Sequence, residues 1–348
     1  MSTNRHMGVR GAALSLLLFC GALSASHAHV ASAREITRAR VLMGTVCTFT
    51  TNTKDTVRAS EALGAALDEV ARLEGVMSDW SPTSEVARVN RLASSRATGC
   101  SPDLYAVLDS ALILARLTQG AFDPTVEPLV QLWDMRGKGH LPDPLSVARM
   151  RPLVDHAQVT LDSASRTVRL GRAGMSFNLG GIGKGFALDR AASLLRARGI
   201  KQARLDLGGQ WYAYGAVCTV GVAHPGDRLR AMVHLPVRDV SVSTSSQSEH
   251  RVTVGRNSFG HVLDPRKGIS VMSDASVTVV CDSPTRADAL STALLVMGRE
   301  EAAAFVRTQP GLGVLWLEPD GASVKAWRWN LPKATAAPGA TVQWNDAP

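Results

Sequence analysis

A glycine-rich segment at positions 179–185, with the sequence LGGIGKG, combines residue types that suit anion binding. We predict a strand before it and a helix after it, spanning 175–198. Glycines at a helix start let backbone N–H groups approach an anion, and Lys184 adds a positive charge. A Walker A motif does not fit because Gly185 follows the lysine, and a dinucleotide fingerprint does not fit because Phe186 stands where Gly or Ala is required. The segment therefore indicates either a phosphate site or a tight turn that packs a helix on a strand.

A second group of candidate ligands lies in a helix predicted to begin at Ser283 and Pro284. Asp288, Ser291 and Thr292 stand at positions i, i+3 and i+4, which share one face of a helix. Their oxygens, with a nearby backbone carbonyl, could bind Mg²⁺. The same spacing is also typical of an ordinary polar helix face.

A third candidate is the segment 261–268, with the sequence HVLDPRKG. His261 could act as a general base, because the pKa of a histidine lies near neutrality and a carboxylate such as that of Asp264 could orient the ring. Asp-Pro followed three residues later by Gly268 is equally typical of a plain turn.

Two loops, at 77–86 and 120–125, complete the candidates. Trp80 offers an aromatic face for a planar heterocycle, and backbone amides near Asp123 offer hydrogen bonds. Asp123 followed by Pro124 predicts a helix start with the aspartate as N-cap. The alternative is that Trp80 fills the core and that Asp123 is only a cap.

The elements that must position these segments alternate between helices and strands. A strand at 40–51 leads into a long helix, because apolar residues recur at helical spacing from Leu63 to Met77. Further predicted elements are helices at about 84–92 and 104–115, a hairpin within 159–170, a strand-rich region at 203–280 and a strand at 313–318. This order favours an α+β fold over a doubly wound sheet.

Composition excludes several classes of protein. The chain has 348 residues, of which 45% are hydrophobic and 20% charged, and this excludes a disordered chain. Its formal charge of +8 raises nucleic acid as a partner, yet no Lys/Arg-rich run with interleaved aromatic residues occurs, so we predict no nucleic-acid binding. The scattered cysteines form no C-x-x-C pair and indicate neither a zinc site nor a redox dithiol.

The first residues are typical of an export signal. Arg5 and Arg10 precede an apolar run that ends in small residues, which predicts a signal peptide at 1–33 and a periplasmic protein. The run is shorter than the roughly 20 residues of a spanning helix. Lipoprotein anchoring at Cys20 is disfavoured, because the preceding Phe19 is too bulky for a lipid-processing signal.

Together these segments resemble one family, the ApbE-type FAD:protein FMN transferases. The resemblance runs from Met43 to about Gly298. It rests on seven motifs in family order: MSxxxxxSEV (77–86), GAFDPTVxPLV (120–130), LGGIGKG (179–185), LDLGG (205–209), STS (243–245), HVLDPRKG (261–268) and ADALSTA (287–293).

The resemblance implies a T-fold-like α+β domain at 34–331, with two α/β lobes, mixed and antiparallel sheets and FAD in the cleft between the lobes. A flexible tail is expected at 332–348. By motif, the residues expected to contact FAD are Met43, Trp80, Ala121, Phe122, Asp123, Asn178, Lys184 and the backbone of Val262. The expected Mg²⁺ ligands are Asp288, Ser291, Thr292 and the backbone carbonyl of Gly181, and His261 is the expected catalytic residue.

The implied activity is Mg²⁺-dependent transfer of FMN from FAD onto a Thr or Ser hydroxyl of an exported acceptor protein, with release of AMP. Family acceptors are typically electron-transfer subunits, so membrane proximity through the acceptor is expected. The alternatives are hydrolysis of FAD to FMN and AMP, which uses the same residues, and flavin binding without catalysis.

Three positions depart from the family pattern. Asn178 stands where the family usually has Asp, Ser246 where Gly is usual, and Trp80 where Tyr is more common. The first changes the charge of the expected flavin site, and the last keeps the aromatic face but loses a hydroxyl. His261 and Lys184 follow the pattern, so we expect an active enzyme.

Overall fold

One large sheet organises the chain in the computed structural model, which describes residues 32–248, 251–255, 257–331 and 333–345. The predicted signal peptide, including Cys20, therefore lies outside the described residues except for its last two positions. The strands are β1 (Arg34–Leu42), β2 (Thr45–Thr53), β3 (Thr98–Gly99), β4 (Val159–Asp162), β5 (Thr167–Leu170), β6 (Ala203–Leu207), β7 (Gln210–Tyr214), β8 (Cys218–His224), β9 (Asp227–Val237), β10 (Val240–Ser246), β11 (Arg251–Val254), β12 (Asn257–Gly260), β13 (Leu263–Asp264), β14 (Ile269–Ser270), β15 (Ser276–Cys281), β16 (Gly313–Asp320), β17 (Ser323–Trp329), β18 (Thr335–Ala336) and β19 (Val342–Asn345).

Most of the predicted site segments lie at the ends of α-helices or in the loops that connect the helices. The helices are α1 (Thr56–Met77), α2 (Glu85–Leu92), α3 (Pro102–Leu117), α4 (Glu127–Leu132), α5 (Pro144–Met150), α6 (Gly183–Ala197), α7 (Pro284–Met297) and α8 (Arg299–Arg307). Short 3-10 turns occupy Arg151–Leu153 and His156–Gln158. Among the described residues, no helix is long and apolar enough to cross a membrane.

The large sheet has nine strands in the order β1-β2-β6-β7-β10-β15-β16-β17-β19. Neighbours are antiparallel except β17 and β19, which are parallel. Smaller sheets pair β18-β9-β8, β3-β5-β4, β11-β12 and β13-β14. The first hairpin turns at Met43 and Gly44, both with positive φ, as a two-residue turn of this kind requires.

Two apolar clusters lie against the strands of the large sheet. The larger cluster joins residues of β2, β6 and β15 to the buried faces of α1, α3, α6 and α7, with Phe49, Leu63 and Leu188 fully buried. The second joins β10, β16 and β17 to β8 and β9. Alternating side chains of a strand point to opposite faces, so one face of β10 packs in this second cluster while the other faces α7.

The predicted α+β class is confirmed. The predicted helix after Ser283 is confirmed as α7, with the Ser283 hydroxyl accepting from the Arg286 amide, and the hairpin within 159–170 is confirmed as β4 and β5. Two short strands, β18 and β19, lie within the segment 332–348 that was expected to be a flexible tail; its mobility stays a prediction.

Three local predictions are wrong. The single strand predicted at 40–51 is instead the end of β1 and most of β2, because the chain reverses at Met43 and Gly44. The segment 175–179 is not a strand. The Asn90 side chain accepts from the Phe177 N–H and donates to the Phe177 carbonyl, so it replaces a strand partner. The helix predicted at Asp123 begins only at Glu127, because the Asp123 carboxylate instead accepts from the backbone and hydroxyl of Thr125 and closes a local turn.

The start of α6 packs against the start of α7 with no room for a side chain at Gly185. A Cβ there would overlap the carbonyl oxygen of Pro284 and lie 2.8 Å from the Cβ of Asp288. We therefore expect Gly185→Ala to lower the free energy of unfolding by about 2 kcal/mol, because overpacking against backbone cannot be relieved by rotating a side chain. Chemical denaturation monitored by circular dichroism measures the effect.

Gly64→Ala is the matched control for this substitution. Gly64 lies within α1, and a Cβ added there meets no atom within 4 Å. This variant should gain about 0.5–1 kcal/mol, since alanine favours a helix interior. Equal stability of the two variants would contradict the packing described for Gly185.

Candidate active site

The glycine segment leads into α6, and no side chain of the segment caps that helix. Its N-cap residue, Ile182, has no side chain that can accept a hydrogen bond. The carboxylate of Asp288 on α7 supplies that acceptor instead, taking the amide of Gly185 at 2.9 Å. The two predicted phosphate and metal segments, about a hundred positions apart, therefore meet directly.

A cluster of hydroxyls adjoins this contact. On β10, the Ser243 hydroxyl lies 3.2 Å from that of Ser291, and the Ser245 hydroxyl lies 2.8 Å from Ser291 and 3.2 Å from Thr292. Gly181 is also close, since a Cβ at Gly181 would lie 3.4 Å from the Thr292 Oγ1. The structure thus brings the four predicted metal ligands to one place, where α7 faces the glycine segment and β10.

The donor set at this place fits a hard divalent cation. Asp288 is only 4% exposed, and burial raises the pKa of its carboxyl group, an effect that the charge of Lys184 opposes. Within the described part of the chain, no cationic side chain forms an ion pair with Asp288, and no group of three or more His, Cys, Asp or Glu side chains suits a metal. The candidate ligands are instead one buried carboxylate, two hydroxyls and a backbone carbonyl, the oxygen types that Mg²⁺ prefers.

His261 lies between β12 and β13 and is partly exposed. The next residue, Val262, is held by the buried side chain of Gln247, which accepts from the Val262 N–H at 2.9 Å and donates to its carbonyl at 2.8 Å. The Val262 carbonyl also accepts from the Val271 N–H. The backbone of Val262, predicted to contact FAD, therefore has its hydrogen bonds engaged within the protein.

Trp80 is 67% exposed, so it does not fill the core. The guanidinium of Arg136 lies over its ring at 5.4 Å from the centroid, a cation–π contact. Arg136 also bonds Asp79 at 2.7 Å and Glu127 at 2.6 Å. Arg136 thereby ties the Trp80 loop to the start of α4 and leaves the ring accessible.

Asn178 belongs to the same polar network. Its Nδ2 donates to Glu127 at 2.9 Å, and its Oδ1 accepts from the amide of Gly180 at 2.9 Å. Burial raises the pKa of the Asp79 carboxyl group, an effect that the charge of Arg136 opposes. The network therefore connects the tryptophan loop to the glycine segment.

The loop at 120–123 presents its residues in different directions. The buried Phe122 ring faces the glycine segment, 3.3 Å from a Cβ built at Gly181, and the neighbouring Ala121 is also buried. The Asp123 carboxylate instead accepts from the backbone N–H of His156 at 3.0 Å and lies 2.9 Å from its Nδ1. Ala121, Phe122 and Val262 all belong to the largest apolar cluster, and Met43 packs against it from the first hairpin.

Two cavities of about 350 Å³ border these loops. One is lined by residues that include Asp79, Asn90 and Glu127, and the other by residues that include Asp123, His156 and Arg266. Neither lining includes Asp288, Ser291, Thr292 or Gly181, so the predicted metal ligands lie outside both cavities.

Sequence reasoning missed four residues of the site: Glu127, Arg136, His156 and Gln247. Glu127 lies within the motif at 120–130, and Arg136 follows it nine positions later in the sequence. An acidic residue inside a site motif with an arginine nearby is a signal that could have identified the pair of Glu127 and Arg136. The sequence offers no comparable signal for His156 or Gln247, whose partners are fixed only by the tertiary fold.

Comparison with known proteins shows which family this sequence matches. The model of the ApbE family matches residues 43–316. The chain is 34% identical to an FAD:protein FMN transferase of Treponema pallidum, over 83% of this chain and 86% of that protein, and 27% identical to one of Klebsiella pneumoniae, over 74% and 82%.

Solved structures share the fold. The ApbE protein of Thermotoga maritima superposes with a TM-score of 0.76 at 25% identity, covering 81% of this chain and 94% of that one. The flavinyl transferase ApbE of Pseudomonas stutzeri, in its apo form, gives a TM-score of 0.76 at 23% identity, covering 86% and 96%, which shows the fold alone.

The pair of His156 and Asp123 makes stability depend on pH. The hydrogen bond to Asp123 raises the pKa of His156 above its ordinary value near 6.5. The folded state therefore favours the protonated ring, and this stabilisation is complete below pH 6.5 and lost as the pH rises through the raised pKa. We expect the wild type to exceed His156→Asn in free energy of unfolding by about 1 kcal/mol more at pH 6 than at pH 9.

The measurement is urea denaturation of both proteins at the two pH values. Asparagine keeps a hydrogen-bond donor but cannot titrate. The comparison therefore isolates the contribution of the positive charge of His156 to stability. A difference between the proteins that is the same at pH 6 and pH 9 would show that the ring is not held in its protonated form.

Proposed function

This chain belongs to the ApbE family, and we propose that it transfers FMN from FAD onto a Thr or Ser hydroxyl of an exported acceptor protein, using Mg²⁺ and releasing AMP. The observation that carries the proposal is the meeting of Asp288 with the start of α6, beside the hydroxyls of Ser291 and Thr292. This arrangement places the positive charge of Lys184, at the start of α6, near oxygen ligands suited to Mg²⁺.

FAD would be bound by the two loops and the glycine segment. The exposed ring of Trp80, stacked against Arg136, offers a face to a planar heterocycle. Lys184 lies in the first turn of α6, where its positive charge suits the pyrophosphate. The remaining proposed FAD contacts are Met43, Ala121, Phe122, Asp123, Asn178 and Val262.

Asp288, Ser291, Thr292 and the Gly181 carbonyl would hold the metal ion. When bound, Mg²⁺ supplies positive charge that neutralises phosphate oxygens during substitution at phosphorus. Asp288 has a second task in the protein itself, because it accepts from the Gly185 amide and so fixes the first turn of α6, which carries Lys184.

His261 would take the proton from the acceptor hydroxyl. The hydroxyl oxygen forms a bond to the phosphorus of the FMN half of FAD, and the bond from that phosphorus to the bridging oxygen breaks. The bridging oxygen leaves with the AMP half, and the hydroxyl proton goes to the His261 ring. The products are AMP and an acceptor that carries FMN through a phosphoester bond.

We propose that the enzyme acts in the periplasm, on exported acceptors such as electron-transfer subunits that lie at the membrane. The leader predicted at 1–33 supports this location. N-terminal sequencing of the mature protein recovered from the periplasm tests this location. We expect the sequence to begin near position 34.

His261→Gly should slow transfer strongly. Removing a general base costs about 10²- to 10⁴-fold in rate, and we expect a loss within this range. Exported electron-transfer subunits of the same organism, expressed without flavin, serve as acceptors with FAD and Mg²⁺. In-gel fluorescence measures the covalent flavin, and chromatography measures AMP.

His140→Gly is the matched control, because His140 is exposed in the loop before α5. Undiminished transfer by His261→Gly would remove His261 from the mechanism. Rapid release of FMN and AMP by the wild type without acceptor would favour FAD hydrolysis, and flavin binding with neither product would favour a non-catalytic carrier.

Asp288→Asn should separate activity from stability. The variant removes the buried charge on which metal binding depends, so we expect transfer to fall at least about 100-fold at millimolar Mg²⁺. The melting temperature without metal should stay equal or rise, since a neutral amide costs less to bury than a carboxylate. Transfer assays and thermal melts in EDTA measure the two effects.

Asp282→Asn, at an exposed aspartate just before α7, is the control and should leave both quantities unchanged. Full activity of Asp288→Asn, or transfer by the wild type that EDTA does not diminish, would exclude Asp288 as a metal ligand.

A further inference from the structure

The side chain of Gln247, directly after β10, is 1% exposed and makes three hydrogen bonds to backbone groups. Its Oε1 accepts from the Val262 N–H at 2.9 Å. Its Nε2 donates to the Val262 carbonyl at 2.8 Å and to the Val271 carbonyl at 2.6 Å. The amide group therefore pairs with the backbone of Val262 as a neighbouring strand would, through one donor and one acceptor.

The surroundings of this amide leave it little freedom. A Cβ added at Gly260 would overlap the Gln247 side chain, so only glycine allows the backbone to approach so closely. The Ser270 hydroxyl donates to the Gly260 carbonyl at 2.9 Å, and Val271 donates to Val262. The backbone on both sides of His261 is thus bonded, and Gln247 is the side chain at the centre of these bonds.

Gln247 also lies two residues after Ser245, whose hydroxyl is near the proposed metal ligands. Ser243 and Ser245 lie on the same face of β10, and Gln247 follows in the turn directly after the strand. The two serines contact Ser291 and Thr292 on α7, whereas Gln247 contacts Val262. One stretch of backbone therefore links the metal ligands to the segment that carries His261.

We propose that Gln247 is a positioning residue for transfer, one that fixes the His261 ring relative to the ligands on α7. The inference rests on the proposed function, in which His261 takes the proton of the acceptor hydroxyl. Simple filling of space does not account for the residue, because an apolar side chain would leave the Val262 N–H unpaired, whereas the carboxamide supplies the one acceptor and two donors of the three bonds. Catalysis is sensitive to such placement, since a shift of about 1 Å can cost 10²-fold in rate.

Two variants test the proposal. Gln247→Glu keeps the shape but sets a carboxylate oxygen against the carbonyls of Val262 and Val271, and Gln247→Met removes all three bonds without adding charge. For both we expect kcat for transfer to fall at least about 10-fold, a larger factor than the rise in the KM for FAD, because Val262 is the one proposed FAD contact that bonds Gln247. Circular dichroism and thermal melts identify a variant that does not fold, and the other then carries the test.

The combination with His261→Gly distinguishes positioning from general support of the fold. If Gln247 acts through His261, then Gln247→Met should cost little further activity when His261 is already glycine, so the two losses will not multiply. Losses that multiply, or a variant with wild-type kcat, would overturn the proposal.

Gln202→Glu is the matched control, since Gln202 donates to the carbonyl of Asn52 away from the site. It should retain wild-type kcat and KM, and an equal loss there would show that the effect is not specific to Gln247. The proposed function fails separately, if the wild type itself transfers no FMN or if His261→Gly transfers as fast as the wild type.

Discussion

The hydrogen bond from the Gly185 amide to the Asp288 carboxylate is the contact on which the rest of the site depends. It joins the starts of two helices, α6 and α7, that are distant in sequence. Both the candidate anion site and the candidate metal site lie at this junction. A buried carboxylate without an ion pair is costly unless its environment supplies hydrogen bonds or a cation. The fold supplies the hydrogen bond through the amide, and the proposed Mg²⁺ would supply the cation.

The large sheet contributes to the site through β10. Its Val242 packs in the second apolar cluster, while Ser243 and Ser245 on the opposite face contact α7. Because β10 is a central strand with β7 and β15 on either side, its backbone is held along most of its length. Polar side chains on such a strand have fixed positions, so they suit a site in which several oxygens must converge.

The sequence predicted the elements whose signals are local. The start of α7 at Ser283 and Pro284 and the hairpin of β4 and β5 follow from a cap, a proline and alternation of side chains. The family resemblance added which segments would come together. The structure brings together the four predicted metal ligands, although their role in binding metal stays a prediction.

What could not be predicted depends on pairs that only the tertiary fold creates. The Asn90 side chain hydrogen-bonds the backbone N–H and carbonyl of Phe177, 87 positions away, so the predicted strand at 175–179 does not form. The Asp123 carboxylate bonds Thr125 and His156 in place of a helix start. In each case a side chain satisfies backbone groups that local propensity assigns to regular structure.

The same reasoning accounts for asparagine at position 178, where the family resemblance predicts an aspartate. Its Nδ2 donates to the Glu127 carboxylate, and its Oδ1 accepts from the Gly180 amide. An aspartate in this position would face Glu127 oxygen to oxygen, beside a site that already holds the carboxylate of Asp79 against the single guanidinium of Arg136. The amide removes one negative charge and supplies a donor, so it matches the acidic side chains already present. Asn178 is therefore consistent with an intact network that holds Trp80 and the glycine segment together.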